Sequence, residues 1–222
     1  MTERVLVVAP HPDDETLGCG GTILRMADNG AQVAWLIVTD MSEENGWSLT
    51  RVRERDAEIE KVTALFGFSD VFRMGLVTSQ LDTVPMSELV GKFAAVFNSF
   101  QPQQVFLPNW SDAHSDHRVT FDAGAACVKW FRYPSVRRVL TYETISETDF
   151  ALDARSPFRP NYYVDISEYL ERKLAIMSVY ASEMNTFPFP RSAEAIRCLA
   201  AFRGSTAGFR AAEAFQLLRE RF

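Results

Sequence analysis

Short apolar runs alternate along this chain with longer amphipathic stretches, and the alternation persists as far as Tyr142. Val5 to Ala9, Gln32 to Thr39, Val71 to Met74, Gln104 to Leu107 and Arg138 to Tyr142 read as strands, while Thr16 to Asn29, Arg51 to Phe66, Met86 to Phe100 and Ser115 to Phe131 carry helical spacing. Strands that are almost continuously apolar are buried on both faces. Strand and helix in alternation require helical layers on both sides of a mostly parallel sheet, joined by right-handed crossovers. The expected fold class is α/β, a single Rossmann-like domain spanning residues 1–222. That length suits one substantial core better than two.

Beyond Tyr142 the pattern weakens. Glu143 to Arg159 is rich in Ser, Thr, Asp and Glu, and is long enough to be a functional loop. Tyr162 to Ile166 reads as an edge strand, Ser167 as the N-cap of a helix reaching Tyr180, and Asn185 to Pro190 as a loop. Two shorter helices, Ala193 to Phe202 and Ala207 to Arg221, are expected to close the chain. No stretch has the character of an interdomain linker, and no internal repeat is present.

Two polar clusters interrupt this apolar order where strands end. The first strand runs into His11-Pro12-Asp13-Asp14-Glu15, and the strand at Gln104 to Leu107 is followed by Asp112-Ala113-His114-Ser115-Asp116-His117. All three histidines of the chain therefore follow strands, at the rim where open α/β sheets carry their chemistry. If the two strands are neighbours, His11, Asp14 and His117 form a zinc-type set of two imidazoles and one carboxylate with an open fourth position. The residues alone leave another reading open, in which Asp13, Asp14 and Glu15 merely favour the positive end of a helix. A nucleotide-binding turn at Gly18, Gly20 and Gly21 is disfavoured: residue 23 is Ile23, and three carboxylates would repel a pyrophosphate. Close helix packing explains those glycines better.

The first cluster resembles the Pro-His-Pro-Asp-Asp-Glu signature of the zinc-dependent N-acetylglucosaminide deacetylases, the LmbE-like or PIG-L family, and the second resembles its Asp-x-His-x-Asp-His signature. Arg55-x-x-Glu58 ahead of Leu65-Phe66-Gly67, and Arg203-Gly204 through Ala212-Glu213-Ala214-Phe215, resemble two weaker family segments. The resemblance implies one catalytic Zn2+, or another divalent metal, held by His11, Asp14 and His117, with Asp13 as general base. It implies His114 as oxyanion stabiliser or proton donor, with Asp116 fixing its ring. The implied reaction removes the acetyl group from an aminosugar carried on a small-molecule or lipid-linked aglycone. A metal hydrolase acting on another amide or ester stays open as the alternative. Val77-Thr78-Ser79 stands where relatives often have a Pro-Asp-Gly-like turn, so no substrate contact by that aspartate is expected, and Ser182-Glu183 stands where a Ser-Gln pair is often found; both departures concern the sugar or aglycone site and leave the implied zinc, base and oxyanion residues untouched.

Composition narrows the partners. A net charge of −6 argues against nucleic acid as the ligand. No apolar segment approaches membrane-spanning length, and Met1-Thr2-Glu3-Arg4 leads straight into the first strand, so a cytoplasmic location is expected. Self-association stays open. Cys19, Cys127 and Cys198 are widely spaced and odd in number, and read as buried fillers outside any disulfide framework. Arg51 and Arg53 read as members of a solvated, ion-paired helix face. Arg55 is a candidate substrate contact, as is Trp47 in the loop Asp40 to Trp47 after the second strand.

Overall fold

A computed structural model describes residues 2–153 and 155–222. The elements in chain order are β1 (Arg4–Ala9), α1 (Asp14–Asp28), β2 (Gln32–Asp40), α2 (Leu49–Phe66), β3 (Asp70–Val77), α3 (Met86–Phe100), β4 (Gln104–Pro108), α4 (Ser115–Ala126) and β5 (Arg138–Tyr142), then β6 (Tyr162–Asp165), α5 (Leu170–Met177), α6 (Ala193–Ala207) and β7 (Ala212–Glu220). Seven strands form one sheet in the order β3-β2-β1-β4-β5-β7-β6. The first five are parallel, whereas β7 runs antiparallel to both β5 and β6.

Two apolar clusters sandwich the sheet. Because side chains alternate across a strand, Val5, Val7 and Ala9 of β1 join Trp35 and Ile37 in one cluster, while Leu6 and Val8 join Leu36 and Val38 in the other. α3 covers the second cluster with Leu89, Phe93, Phe97 and Phe100, a helical stripe along one face. α2 covers the first with Ile59, Val62 and Phe66, and Arg55 continues that same buried stripe at the end nearer the site. An arginine in a core-facing register is aimed inward and requires polar partners there.

The glycines of α1 are spacers. A Cβ on Gly18 would lie 2.2 Å from the Tyr142 ring, and one on Gly21 would lie 2.6 Å from Ile166. Their absence lets α1 lie close against β5 and the segment after β6. Cys19 is buried in the core, as is Cys127, but Cys198 is exposed on α6, so it fills nothing.

The C-terminal region departs from its expected helices. Ala212 to Glu220 is a strand inserted between β5 and β6, and α6 runs on to Ala207 before Gly208, at φ 81°, stops it. Ala, Glu and Leu favour helices weakly as single residues, and the unpaired edge of β5 overrides that preference by offering a ladder of backbone hydrogen bonds. The Glu213 carboxylate turns inward, accepting from the backbone N–H groups of Gly21 (2.8 Å) and Thr22 (2.7 Å) and from Lys173 Nζ (2.6 Å). Ser167 does not cap α5 either. Its N–H and hydroxyl both donate to Asp165, in a turn that delays the helix to Leu170. Among the described residues, no helix is long and apolar enough to cross a membrane.

Candidate metal centre and active site

The sheet order reverses direction between β1 and β4, which pair in parallel with Val5 opposite Gln104 and Val7 opposite Phe106. Both strands end at this switch point, so the loop after β1 and the loop after β4 share one crevice. His11, Asp14 and His117 converge there, with one potential ligand atom of each within 4.8 Å of the others. Asp14 Oδ2 lies 3.2 Å from His11 Nδ1 and 3.3 Å from His117 Nε2.

The surroundings of these atoms fit a cation. His117 Nε2 is buried and, among the described residues, has no hydrogen-bond partner, an arrangement that is costly unless an ion completes it. The opposite nitrogen of each ring is held by a carboxylate: His117 Nδ1 by Asp112 Oδ2 at 2.8 Å, and His11 Nε2 by Asp116 Oδ2 at 3.0 Å. Such outer carboxylates orient imidazole ligands and raise their basicity. The buried His/Asp cluster can therefore coordinate a divalent metal such as zinc. A second grouping, His11 with His114 and Asp116, also has its ligand atoms within 4.8 Å of one another. It suits a metal less well, because the Asp116 carboxylate is already engaged by Ser79 N–H (2.6 Å), Leu81 N–H (3.3 Å) and His11.

Without an ion the cluster holds protons. Burial opposes a charge on His117, but Asp14 and Asp112 outweigh it and raise the ring to about 10. Burial likewise opposes a charge on His11, yet the hydrogen bonds to Asp116 and Asp14 raise it to about 9. Asp14 is lowered, since the two imidazoliums beside it overcome its burial.

Asp13 separates the two ligands of the first loop and has an unusual backbone, φ 138° and ψ −28°, a region that side-chain-bearing residues rarely adopt. Its N–H is tied to Glu15 Oε2 at 3.0 Å, and Glu15 is fixed in turn by the Tyr180 hydroxyl, which donates to Oε1 at 3.0 Å. Burial, and then the neighbouring Asp14 charge, push the Asp13 carboxyl up to about 8, against the pull of Arg191. A carboxylate so disposed is more basic than an exposed one, as a proton acceptor needs to be.

The carboxylate of Asp116 is not the group that orients His114. Its Oδ2 is 3.9 Å from His114 Nδ1, whereas the Asp116 backbone N–H donates to that nitrogen at 3.1 Å as His114 caps α4. The contact is made by the backbone and not the carboxylate because α4 starts at Ser115 and directs its free N–H groups back at the cap. An accepting Nδ1 leaves the proton of the neutral ring on Nε2. Burial, then repulsion by His11, lowers the His114 pKa and favours that neutral form.

Arg55 is almost fully buried and holds the first loop from behind: Nη1 donates to the Pro12 carbonyl at 2.9 Å, Nε faces Glu58 at 3.2 Å, and Nη2 pairs with Glu183. Trp47 is exposed at the mouth of the same cleft, a cavity of about 220 Å³ into which His11, Asp13, His114 and Arg55 also face. Four contributors had no role assigned to them in the sequence. Asp112 opens the Asp-x-His-x-Asp-His cluster, but only the fold shows that it meets His117 Nδ1. Glu147, Glu183 and Arg191 come from the loops around Glu143 to Arg159 and Asn185 to Pro190, and also line the cavity.

The sequence profile of the GlcNAc-PI de-N-acetylases, PIG-L, matches residues 6–128. The chain is 29% identical to a diacetylchitobiose deacetylase of Thermococcus kodakarensis, over 97% of this chain and 83% of that protein. It is 26% identical to a probable N-acetyl-alpha-D-glucosaminyl L-malate deacetylase 2 of Bacillus anthracis, over 82% of each. The crystal structure of a conserved protein from Thermus thermophilus superposes with a TM-score of 0.78 at 28% identity, covering 100% of this chain and 97% of that one. With its strand-end group of potential metal ligands on a mostly parallel sheet, the molecule is a hydrolase of the deacetylase type. The chain belongs to the PIG-L family.

Proposed function

We propose that this protein hydrolyses the acetamido group of an N-acetylated aminosugar glycoside, releasing acetate and a free amine, with a zinc ion held by His11, Asp14 and His117. The observation that carries this reading is the convergence of those three residues beside Asp13 and His114 in one cleft. When bound, the ion polarises the substrate carbonyl and makes water more acidic. Asp13 accepts the proton of the attacking water and returns it to the departing amine. His114, carrying its proton on Nε2, donates to the carbonyl oxygen as negative charge grows there. Asp112 and Asp116 hold the rings of His117 and His11, and Arg55 acts from behind Pro12 as a positioning residue more than as a substrate contact. Trp47 offers the pocket a face for a sugar ring.

The relatives act, by their names, on diacetylchitobiose and on N-acetylglucosaminyl malate, so glycosides of N-acetylglucosamine are the substrate class to test. A cytoplasmic site of action agrees with the three free thiols, the exposed Cys198 among them. The test is a panel of N-acetylglucosamine glycosides, nucleotide sugars and N-acetyl amino acids, assayed for acetate and for free amine with the zinc-loaded protein. Turnover of the glycosides is expected. Efficient turnover of the amino acids with inert glycosides would replace the sugar reading by a general amidase.

A further inference from the structure

Arg191 lies between the 3-10 turn at Ala181–Glu183 and α6, immediately before Ser192, whose hydroxyl accepts from Ala195 N–H and caps that helix. Its backbone is therefore anchored at the start of a regular element. All three guanidinium nitrogens are engaged. Nη1 donates to Asp13 Oδ2 at 2.8 Å and faces Glu183 Oε2 at 3.4 Å, Nε donates to Ser146 Oγ at 2.8 Å, and Nη2 reaches Glu147 Oε1 at 3.5 Å. A planar fork gripped at each nitrogen has one orientation, which a lysine ammonium would not reproduce.

Asp13 needs such a partner. Its backbone is in an unfavourable region, and among the described residues Arg191 supplies the hydrogen bond to its carboxylate. That bond takes Oδ2 and turns Oδ1 to other work. We propose that Arg191 is a positioning residue for the hydrolysis, fixing the Asp13 carboxylate toward the attacking water and linking it to the two loops that wall the pocket. The proposal rests on the reading of Asp13 as the base. Arg191 is poorly suited to bind an anionic substrate directly, because Asp13, Glu147 and Glu183 already surround its charge.

The test compares Arg191→Ala, Arg191→Lys and wild type, all zinc-loaded, by steady-state kinetics, metal content, thermal melting and a crystal structure of Arg191→Ala. We expect kcat to fall about 100-fold in Arg191→Ala, the usual scale for a misplaced catalytic group, with KM changed less than about 3-fold and the metal retained. The lysine variant should recover part of the loss. Added guanidinium, at concentrations far below those that unfold the protein, should raise the activity of Arg191→Ala and not that of wild type. In the crystal the Asp13 carboxylate should have turned from its present position. An unmoved Asp13, a rise in KM with unchanged kcat, or a loss of activity in both variants that simply tracks lost metal or lost fold would each overturn the proposal. If wild type releases no acetate from any glycoside or amide, the hydrolase reading fails, while the position of Asp13 in Arg191→Ala still decides whether Arg191 holds it.

Discussion

Residues 4–126 and residues 138–220 build one sheet but supply different parts of the cleft. The first region alternates strand and helix throughout and carries His11, Asp13, Asp14, His114 and His117 at two strand ends and in the first turns of the helices that follow them. The second contributes β5, β6 and the antiparallel β7, two helices and long loops, and sends in Glu147, Tyr180, Glu183 and Arg191. Reactive groups need fixed backbones, which parallel strands ending at a switch point provide. Much of the pocket wall comes from loops, where length and sequence can change without disturbing the core. The family profile, which covers residues 6–128, falls on the first region.

The largest expected effects lie in that first region. Replacing His11, Asp14 and His117 together by alanine should abolish stoichiometric metal binding and hydrolysis; a triple variant that still binds one equivalent would remove the assignment. Asp13→Asn should keep the metal and lose about 100- to 10,000-fold in kcat, the range for removal of a general base. Near-normal turnover would show that the proton goes elsewhere. His114→Ala should cost about 100- to 1,000-fold, mostly in kcat. A rise in KM alone would make it a binding group.

The outer carboxylates sharpen the contrast between holding a metal and doing chemistry. Asp112→Asn and Asp116→Asn should each weaken zinc binding about 10- to 100-fold, because each replaces the negative charge behind an imidazole by a neutral amide. Competition with a chelator would measure this, and an unchanged affinity for Asp116→Asn would return that residue to the His114 side of the site.

Metal binding should also depend on pH in a defined direction. With His11 raised to about 9 and His117 to about 10 in the metal-free chain, both rings carry protons at neutral pH that an ion must displace. Affinity should therefore rise with pH up to that range, with proton release visible as buffer-dependent heats in calorimetry. The same rings stabilise the metal-free fold below their unfolded pKa of about 6.5, and that contribution is lost as pH rises through about 9 to 10. An affinity that is flat between about pH 6 and 8 would contradict the protonated cluster.

Smaller effects are expected where backbone and packing are tested without chemistry. Gly18→Ala would drive a methyl group into the Tyr142 ring, for a loss of about 1–3 kcal/mol by denaturant unfolding. Ser79 sits at φ 61° while its N–H holds Asp116, so Ser79→Gly should change stability by less than about 1 kcal/mol and leave zinc affinity intact. Weaker zinc binding in that variant would show that the Ser79 side chain, 3.4 Å from His114 Nε2, takes part in the site.

The parallel half of the sheet and the candidate metal cluster were legible along the chain, since apolar periodicity reports burial directly and strand ends are where a parallel sheet opens to solvent. His11, Asp13, Asp14, His114 and His117 could be located because each lies close in sequence to the strand that positions it. Ala212 to Glu220 was not legible in that way. Its residues favour a helix locally, and the free edge of β5 made it a strand, with Glu213 turned inward to meet α1 and Lys173. Nor was Arg191 legible, 178 residues from the Asp13 it holds. A hydrogen bond between such distant residues leaves no periodic trace along the chain; it exists because folding brings the end of β1 and the approach to α6 to the same rim. The tertiary structure likewise decided that Asp116 orients His114 through its backbone and His11 through its carboxylate, since donor geometry at a helix start depends on how the turn is wound and not on which residue types it contains.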